Sequence, residues 1–255
     1  MPINRFCSRF GLILGLGLLL PAALTAQIKA PVSDTVASQN GDIKIYPINH
    51  ATLALVWQGK TVYVDPVGGA PAFQGLPAPD LILVTHIHGD HFSVPTLNAV
   101  AGGKAKLAGP PSVVAQLPSN LASRATSMTN GQSQEFLGIG VEAVPAYNLT
   151  PARLNNHPKG RDNGYVLTLG GKRIYLSGDT EDIPEMLALK NIDVAFVCMN
   201  APTMDVEQAA RAVKAFKPKI VYPYHYRGSD LEKFKALVGA DQGVEVRIRD
   251  WYAAR

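Results

Sequence analysis

The sequence predicts an α/β protein of the α+β kind: two mixed β-sheets packed face to face, with helices outside. Three observations lead there. Short apolar runs of strand length recur along the chain and are broken by Gly, Pro, Asn and Asp. They fall into two successive halves of similar kind, strands first and helices later. One of them, Leu81-Ile82-Leu83-Val84, is continuously apolar and therefore reads as a fully buried strand. Two sheets sandwiched between helices satisfy these burial needs. With 255 residues, 47% of them hydrophobic, the chain can bury one sizeable core and is too short for two large domains.

The first 26 residues form a separate unit. Arg5 and Arg9 precede an apolar run from Phe10 to Leu20, which is followed by Pro21-Ala22-Ala23-Leu24-Thr25-Ala26. A basic start, an apolar middle and a small-residue site ending at Ala26 read as a signal peptide, so an exported product, periplasmic or secreted, is expected. The alternative is a membrane anchor, but a spanning helix needs about 20 apolar residues and this run is much shorter. Cleavage removes two of the 24 basic residues and none of the 20 acidic ones, so the formal charge falls from +4 to +2. Residues 27–41 are small and polar and are expected to form a flexible mature N-terminus, leaving 42–255 as the folded domain.

Along that domain, Ile43–Ile48, Thr52–Trp57 and Thr61–Val64 read as strands, the last two joined as a hairpin across Gln58-Gly59-Lys60. After Leu81–Val84, Ser93–Val100 reads as a helix with Ser93 as N-cap and Pro95 in the first turn. Lys106–Ala108 suggests a strand and Val113–Leu117 a short helix. The second half continues with strands Val141–Pro145, Tyr165–Leu169 and Arg173–Leu176, a helix Glu181–Leu189, a strand Val194–Cys198, and a helix Thr203–Phe216. Strand Ile220–Tyr222, helix Asp230–Val238 and strand Val244–Ile248 complete it. Cys7 lies in the leader and Cys198 in an apolar run, so no internal disulfide forms in the mature chain and a buried, inert thiol is expected. Lys and Arg are scattered, which excludes a nucleic-acid footprint. Gly68-Gly69 and Gly102-Gly103 lack the strand–loop–helix setting of a phosphate cradle.

The chemistry concentrates in Thr85-His86-Ile87-His88-Gly89-Asp90-His91. Three of the six histidines, with an aspartate, follow a buried strand directly. A strand end is a rigid platform, and imidazole with carboxylate suits a borderline divalent ion such as zinc. Asp179, in Ser177-Gly178-Asp179-Thr180, and His225, in Tyr224-His225-Tyr226, also follow strands and are further candidate ligands. An Asp after Gly is otherwise an ordinary turn residue. His50 reads as a hydrogen-bonded structural histidine or as a neighbour of the site. Tyr147, Tyr226 and Arg227 flank candidate ligands.

The pattern His-x-His-x-Asp-His, then Gly-Asp-Thr, then a late strand-end His resembles the metallo-β-lactamase superfamily. Val64-Asp65-Pro66, Pro145-Ala146-Tyr147-Asn148, Tyr175–Thr180 and Pro223-Tyr224-His225-Tyr226 resemble its UlaG-like branch of metal-dependent hydrolases. The resemblance implies the αββα fold and two divalent ions, zinc by default, with Mn2+ or Fe2+ as alternatives. It implies that His86 and His88 hold one metal, that Asp90, His91 and His225 hold the other, and that Asp179 bridges them. Asp65 would orient the histidine loop. The superfamily usually supplies a third histidine to the first metal. Here His157 is the only histidine between the first motif and Asp179, and the amide of Asn148 is the alternative. Asp90 would also hold the nucleophile and carry a proton to the leaving group.

The implied activity is hydrolysis of an ester, phosphodiester, lactone or similar bond in a small-molecule substrate. Oligomeric state is left open. A non-catalytic metal-binding or sensing protein on the same fold is the second class. A β-lactam hydrolase is a minor alternative, disfavoured by the bridging aspartate.

Overall fold

The computed structural model describes residues 1–2, 32–239 and 243–252. The leader expected over 1–26 lies, apart from Met1 and Pro2, outside the described residues. No helix among the described residues is long and apolar enough to cross a membrane.

Two seven-stranded sheets face each other. The first runs β1 (Asp34–Val36), β2 (Ile43–Asn49), β3 (Thr52–Trp57), β4 (Lys60–Val64), β5 (Leu81–Leu83), β6 (Lys106–Gly109), β7 (Ala125–Ser127). The second runs β8 (Ser133–Phe136), β9 (Ile139–Ala146), β10 (Asp162–Leu169), β11 (Lys172–Leu176), β12 (Val194–Cys198), β13 (Ile220–Tyr224), β14 (Glu245–Val246). Each sheet has strands in sequence order, with antiparallel pairing over its first four strands and parallel pairing over its last four. The two halves therefore share one topology, and in each the crossovers between parallel strands carry the helices.

Residues alternate across the strands as a two-sided burial demands. Val62 and Val64 on β4, with Leu81 and Leu83 on β5, enter the large core between the sheets. Tyr63, Ile82 and Val84 point the other way, into a second core with Leu97 of α1 (Val94–Val100), Leu107 and Val113. Both faces of these strands are covered, which is why their sequence is apolar without interruption. The β3–β4 hairpin pairs Trp57 with Lys60. Gln58 and Gly59 both take positive φ, 49° and 72°, as a tight two-residue turn requires.

Several boundaries differ from the sequence expectation. The segment 27–41 is not uniformly flexible: within its described part, Asp34–Val36 pairs with β2. Asp34 is held by Arg249, whose Nε and Nη2 both donate to Oδ1 at 3.0 Å, and by the Tyr222 hydroxyl at 2.8 Å. These partners lie far along the chain, so the local sequence does not announce them. The helix expected over Glu181–Leu189 is the single turn α4 (Pro184–Leu187), because Ile183 before the proline is held extended. The helix expected from Thr203 begins later, as α5 (Val206–Phe216), where Asp205 and Gln208 form a capping box. The helix expected over Val113–Leu117 is α2 (Pro111–Val114); α3 (Ser119–Ala122) follows it, and α6 (Leu231–Val238) is capped by Asp230. The last strand is only Glu245–Val246, the part that pairs with β13.

One turn sets the position of the site. Gly178 has φ of 61°, and a Cβ there would lie 2.8 Å from the Asn163 carbonyl oxygen and 3.2 Å from the Thr85 side chain. Positive φ and close backbone approach both demand glycine. Gly178→Ala should lower stability by about 2 kcal/mol or more, seen as a fall of several degrees in thermal unfolding. A melting temperature equal to the parent's would show that the turn has room for the methyl group.

Candidate metal centre

The centre forms where loops leave the C-terminal ends of β4, β5, β11 and β13, the usual position of sites on parallel strands. Asp65 follows β4 and is fully buried with a left-handed φ of 44°. Its Oδ1 accepts from the Thr85 backbone N–H at 2.7 Å. Its Oδ2 accepts from the Thr85 hydroxyl at 2.7 Å and from His91 Nδ1–H at 2.8 Å. The Thr85 hydroxyl, having given its proton to Asp65, accepts from His86 Nδ1–H at 3.0 Å. Both rings are thereby held with the Nε2 lone pair facing inward.

A third ring is fixed in the same way from the other sheet. Asn148 follows β9, and its amide donates through Nδ2 to the Pro202 carbonyl at 2.7 Å. Its Oδ1 is therefore the acceptor for His157 Nδ1–H at 2.9 Å, and His157 Nε2 carries the lone pair. That Nε2 and the Nε2 of His86 converge on His88 Nδ1, at 3.2 and 3.1 Å. His86, His88, His157 and Asp179 thus form one group whose ligand atoms lie within 4.8 Å of one another.

A second such group comprises His50, Asp90, His91 and His225. Asp179 stands between the two. Its Oδ2 is 3.9 Å from His86 Nε2, 3.4 Å from His157 Nε2 and 3.3 Å from His225 Nε2. Its Oδ1 is 3.3 Å from His91 Nε2. All six histidines of the chain lie in these two groups.

The donor set fits two divalent cations. His91 Nε2, Asp179 Oδ1 and both ring nitrogens of His225 are buried without a hydrogen-bond partner among the described residues. Native proteins rarely leave such atoms unsatisfied. A lone pair on His91 facing a carboxylate oxygen is repulsive unless a positive charge lies between them. The electrostatics agree. Burial holds His86 well below the ordinary imidazole range, and repulsion from His91 adds to this. Burial also opposes charge on His91, but Asp179 and Asp65 outweigh it and pull that ring well above the range. Burial opposes ionisation of Asp179, yet His225 and His91 hold it well below the carboxylate range. The His225 ring, whose Nε2 lies 3.6 Å from Asp90 Oδ2, and the hydrogen bond from His50 lower Asp90. The carboxylates thus demand positive charge, which a proton on His91 meets only in part.

His50 is the residue whose place is hidden in the sequence. Its Nε2 lies 3.1 Å from Asp90 Oδ2, and its Nδ1 lies 2.7 Å from the Tyr252 hydroxyl. That hydroxyl accepts the Arg227 backbone N–H at 3.0 Å, and His50 Nδ1 is the only acceptor for its proton among the described residues. His50 therefore carries its own proton on Nε2 and donates it to Asp90. A ring so protonated steadies the carboxylate and is a poor metal ligand.

Of the residues flanking the candidate ligands, Tyr147 bonds Glu185 and Lys159, and Tyr226 bonds the Arg249 carbonyl. Arg227 alone of the three lines the pocket at the centre, about 450 Å3 in volume, with Asn49, His50, Val67, Gly89, Asp90 and Asn200. Cys198 is fully buried, and burial pushes its thiol up to about 11, so it stays protonated at neutral pH.

Paired seven-stranded sheets with such a centre at their strand ends define a class of metal-binding proteins, and comparison with known proteins gives the family. Residues 60–226 match the β-lactamase superfamily domain. A UPF0173 metal-dependent hydrolase of Thermococcus onnurineus is 33% identical over 211 residues, covering 77% of this chain and 92% of that protein. One from Thermoplasma acidophilum is 35% identical over 215 residues, covering 78% and 92%. A crystal structure from Parabacteroides distasonis, designated a metal-dependent hydrolase, superposes with a TM-score of 0.79 at 38% identity, covering 86% of this chain and 98% of that one. The metallo hydrolase Igni18 of Ignicoccus hospitalis shares the fold, with a TM-score of 0.68 at 22% identity over 83% of this chain and 96% of that one. The chain belongs to the β-lactamase superfamily and is a metal-dependent hydrolase with two candidate metal sites.

His157 Nε2 belongs to the candidate metal group, whereas Asn148 Oδ1 is taken up by His157 Nδ1–H. His157→Ala should remove the metal held by its group, so that elemental analysis finds about one ion per chain. Asn148→Ala should retain two ions with affinity lower by roughly 10- to 100-fold, the usual effect of losing a ligand's hydrogen-bond partner. The reverse order of effects would make the amide the ligand.

Proposed function

We propose that the protein is a dinuclear hydrolase that cleaves an ester, phosphodiester, lactone or similar bond in a small-molecule substrate, with zinc as the default metal. One observation carries this reading: two groups of ligand atoms meet at Asp179, and one of them contains His50 and Asp90, which line a pocket. His86, His88 and His157 would hold one ion, Asp90, His91 and His225 the other, with Asp179 between them. When bound, such a pair polarises the scissile carbonyl or phosphoryl oxygen and acidifies water toward a pKa of ~7.

The chain's own contribution lies in placing and moving protons. Asp90 is half-exposed, its side chain 50% accessible, whereas the other carboxylate at the centre, Asp179, is buried. Asp90 alone can therefore touch both the attacking water and the substrate. Its Oδ2 is held by His50 Nε2–H, which leaves Oδ1 to accept the proton of the attacking water and pass it to the leaving group. His50 in turn is held by the Tyr252 hydroxyl. The buried Asp65–Thr85 network fixes the ligand rings before substrate arrives, so little reorganisation accompanies the reaction.

Asp90→Asn should cut turnover by about 100-fold or more, the usual span of proton-transfer catalysis, without loss of fold. Purified, metal-replete protein screened against phosphodiester, lactone, thioester, ester and cephalosporin substrates tests this reading. Failure to bind any zinc or manganese on reconstitution would overturn it.

Export belongs to the same proposal. The basic start, apolar run and small-residue site before Gln27 support it. Protein recovered from a native-like host should have an intact mass beginning near Gln27. A soluble cytoplasmic product that keeps Met1 would refute export.

A further inference from the structure

The pocket carries a feature that metal chemistry does not use. Eight arginines lie among the described residues. Arg153, Arg161, Arg173, Arg211, Arg247 and Arg249 each pair with a carboxylate. Arg124 donates to three backbone carbonyls. The guanidinium of Arg227 has no hydrogen-bond or ion-pair partner among the described residues, and Arg227 lines the pocket at the metal centre.

Its position is nonetheless defined. The guanidinium carbon lies 5.0 Å from the Tyr252 ring centroid, in a cation–π contact. Its backbone N–H donates to the hydroxyl of the same Tyr252. A guanidinium engaged through its face keeps its edge N–H donors available, and that edge matches the two oxygens of a carboxylate or phosphate. Asn49 and Asn200 line the same pocket, and neither side-chain amide has a partner among the described residues. Three polar side chains without a hydrogen-bond partner among the described residues thus line the same pocket as the half-exposed carboxylate of Asp90.

We propose that Arg227, with Asn49 and Asn200, forms a subsite for an oxyanion carried by the substrate beside the bond that is hydrolysed. Arg227 selects substrates bearing a carboxylate or phosphate over neutral ones of the same shape, and Tyr252 holds it in place. This rests on the hydrolytic reading above and adds the substrate class to it.

The test uses metal-loaded full-length protein and two readouts. In the first, kcat/KM is measured for an anionic ester, mono-p-nitrophenyl succinate, and for its neutral counterpart, p-nitrophenyl butyrate. The parent should prefer the anionic ester. Arg227→Ala should lower the ratio of the two values by roughly 10- to 100-fold, the size expected for a hydrogen bond to a charged group. Arg227→Lys should keep an intermediate ratio. A ratio in Arg227→Ala equal to the parent's would overturn the proposal, since a merely structural role would lower both rates together.

In the second readout, calorimetry gives the affinity for succinate and for inorganic phosphate in separate arms. Anion binding at the metals is common to parent and variant, so the difference isolates Arg227. The arm with the larger loss in Arg227→Ala names the oxyanion, and equal affinities in both arms would refute the subsite. If neither ester is turned over, the failure falls on the choice of reaction, and calorimetry still decides the subsite.

Discussion

Everything at the centre hangs on the buried carboxylate of Asp65. It sits in the core with no solvent to stabilise its charge, and it is tolerable there because Thr85 and His91 supply three donors. The same three bonds decide which nitrogen of His91, and through Thr85 which nitrogen of His86, keeps a lone pair. One anion thus sets the tautomers of two rings it does not share with the pocket. Asn148 does this for His157 with a neutral amide, its orientation fixed by the Pro202 carbonyl. The rings are aimed by groups behind them, which leaves their front faces unsatisfied and ready for cations.

The repeated topology explains why the two halves supply complementary parts. Asp65 follows β4 and Asp179 follows β11, each at the point where its sheet changes from antiparallel to parallel pairing. In the first half that aspartate is buried behind the histidine rings; in the second it lies between the two candidate metal groups. The next parallel strands carry the histidine loop after β5 and Asn200 after β12, and His225 follows β13. Left-handed backbone recurs at these junctions, with φ of 44° at Asp65, 61° at Gly178 and 50° at His225. For Asp65 and His225 this is a sparsely populated conformation, and strain of that kind collects at functional sites.

How much of this the sequence discloses depends on how local the deciding interaction is. The apolar strands from β2 to β5 and from β9 to β13 are legible because burial on one or both faces is written in their own residues. Strand β8, Ser133–Phe136, is not, since three of its four residues are exposed and it exists by pairing with β9. Strand β1 depends on Arg249 and Tyr222, nearly the whole chain away. At the centre, the clustered His86, His88, Asp90 and His91 announce themselves by spacing. His50 does not. Its meaning comes from Tyr252, 202 residues further on, and without that hydroxyl it is one histidine in a turn.

That long-range dependence makes the C-terminal segment part of the centre rather than a tail. The Trp251 carbonyl accepts the His50 N–H at 3.1 Å, and the His50 carbonyl accepts the His225 N–H at 3.0 Å. The Trp251 ring is wholly buried against Phe196 and Tyr224, which ties this backbone chain to the core. Tyr252 then points two ways, its hydroxyl toward His50 and its ring beneath Arg227. A displacement of this segment would move the donor that steadies Asp90 and the cation at the pocket rim together. On the readings proposed above, proton handling and recognition of substrate charge are thereby coupled through one side chain, the one that contacts both His50 and Arg227.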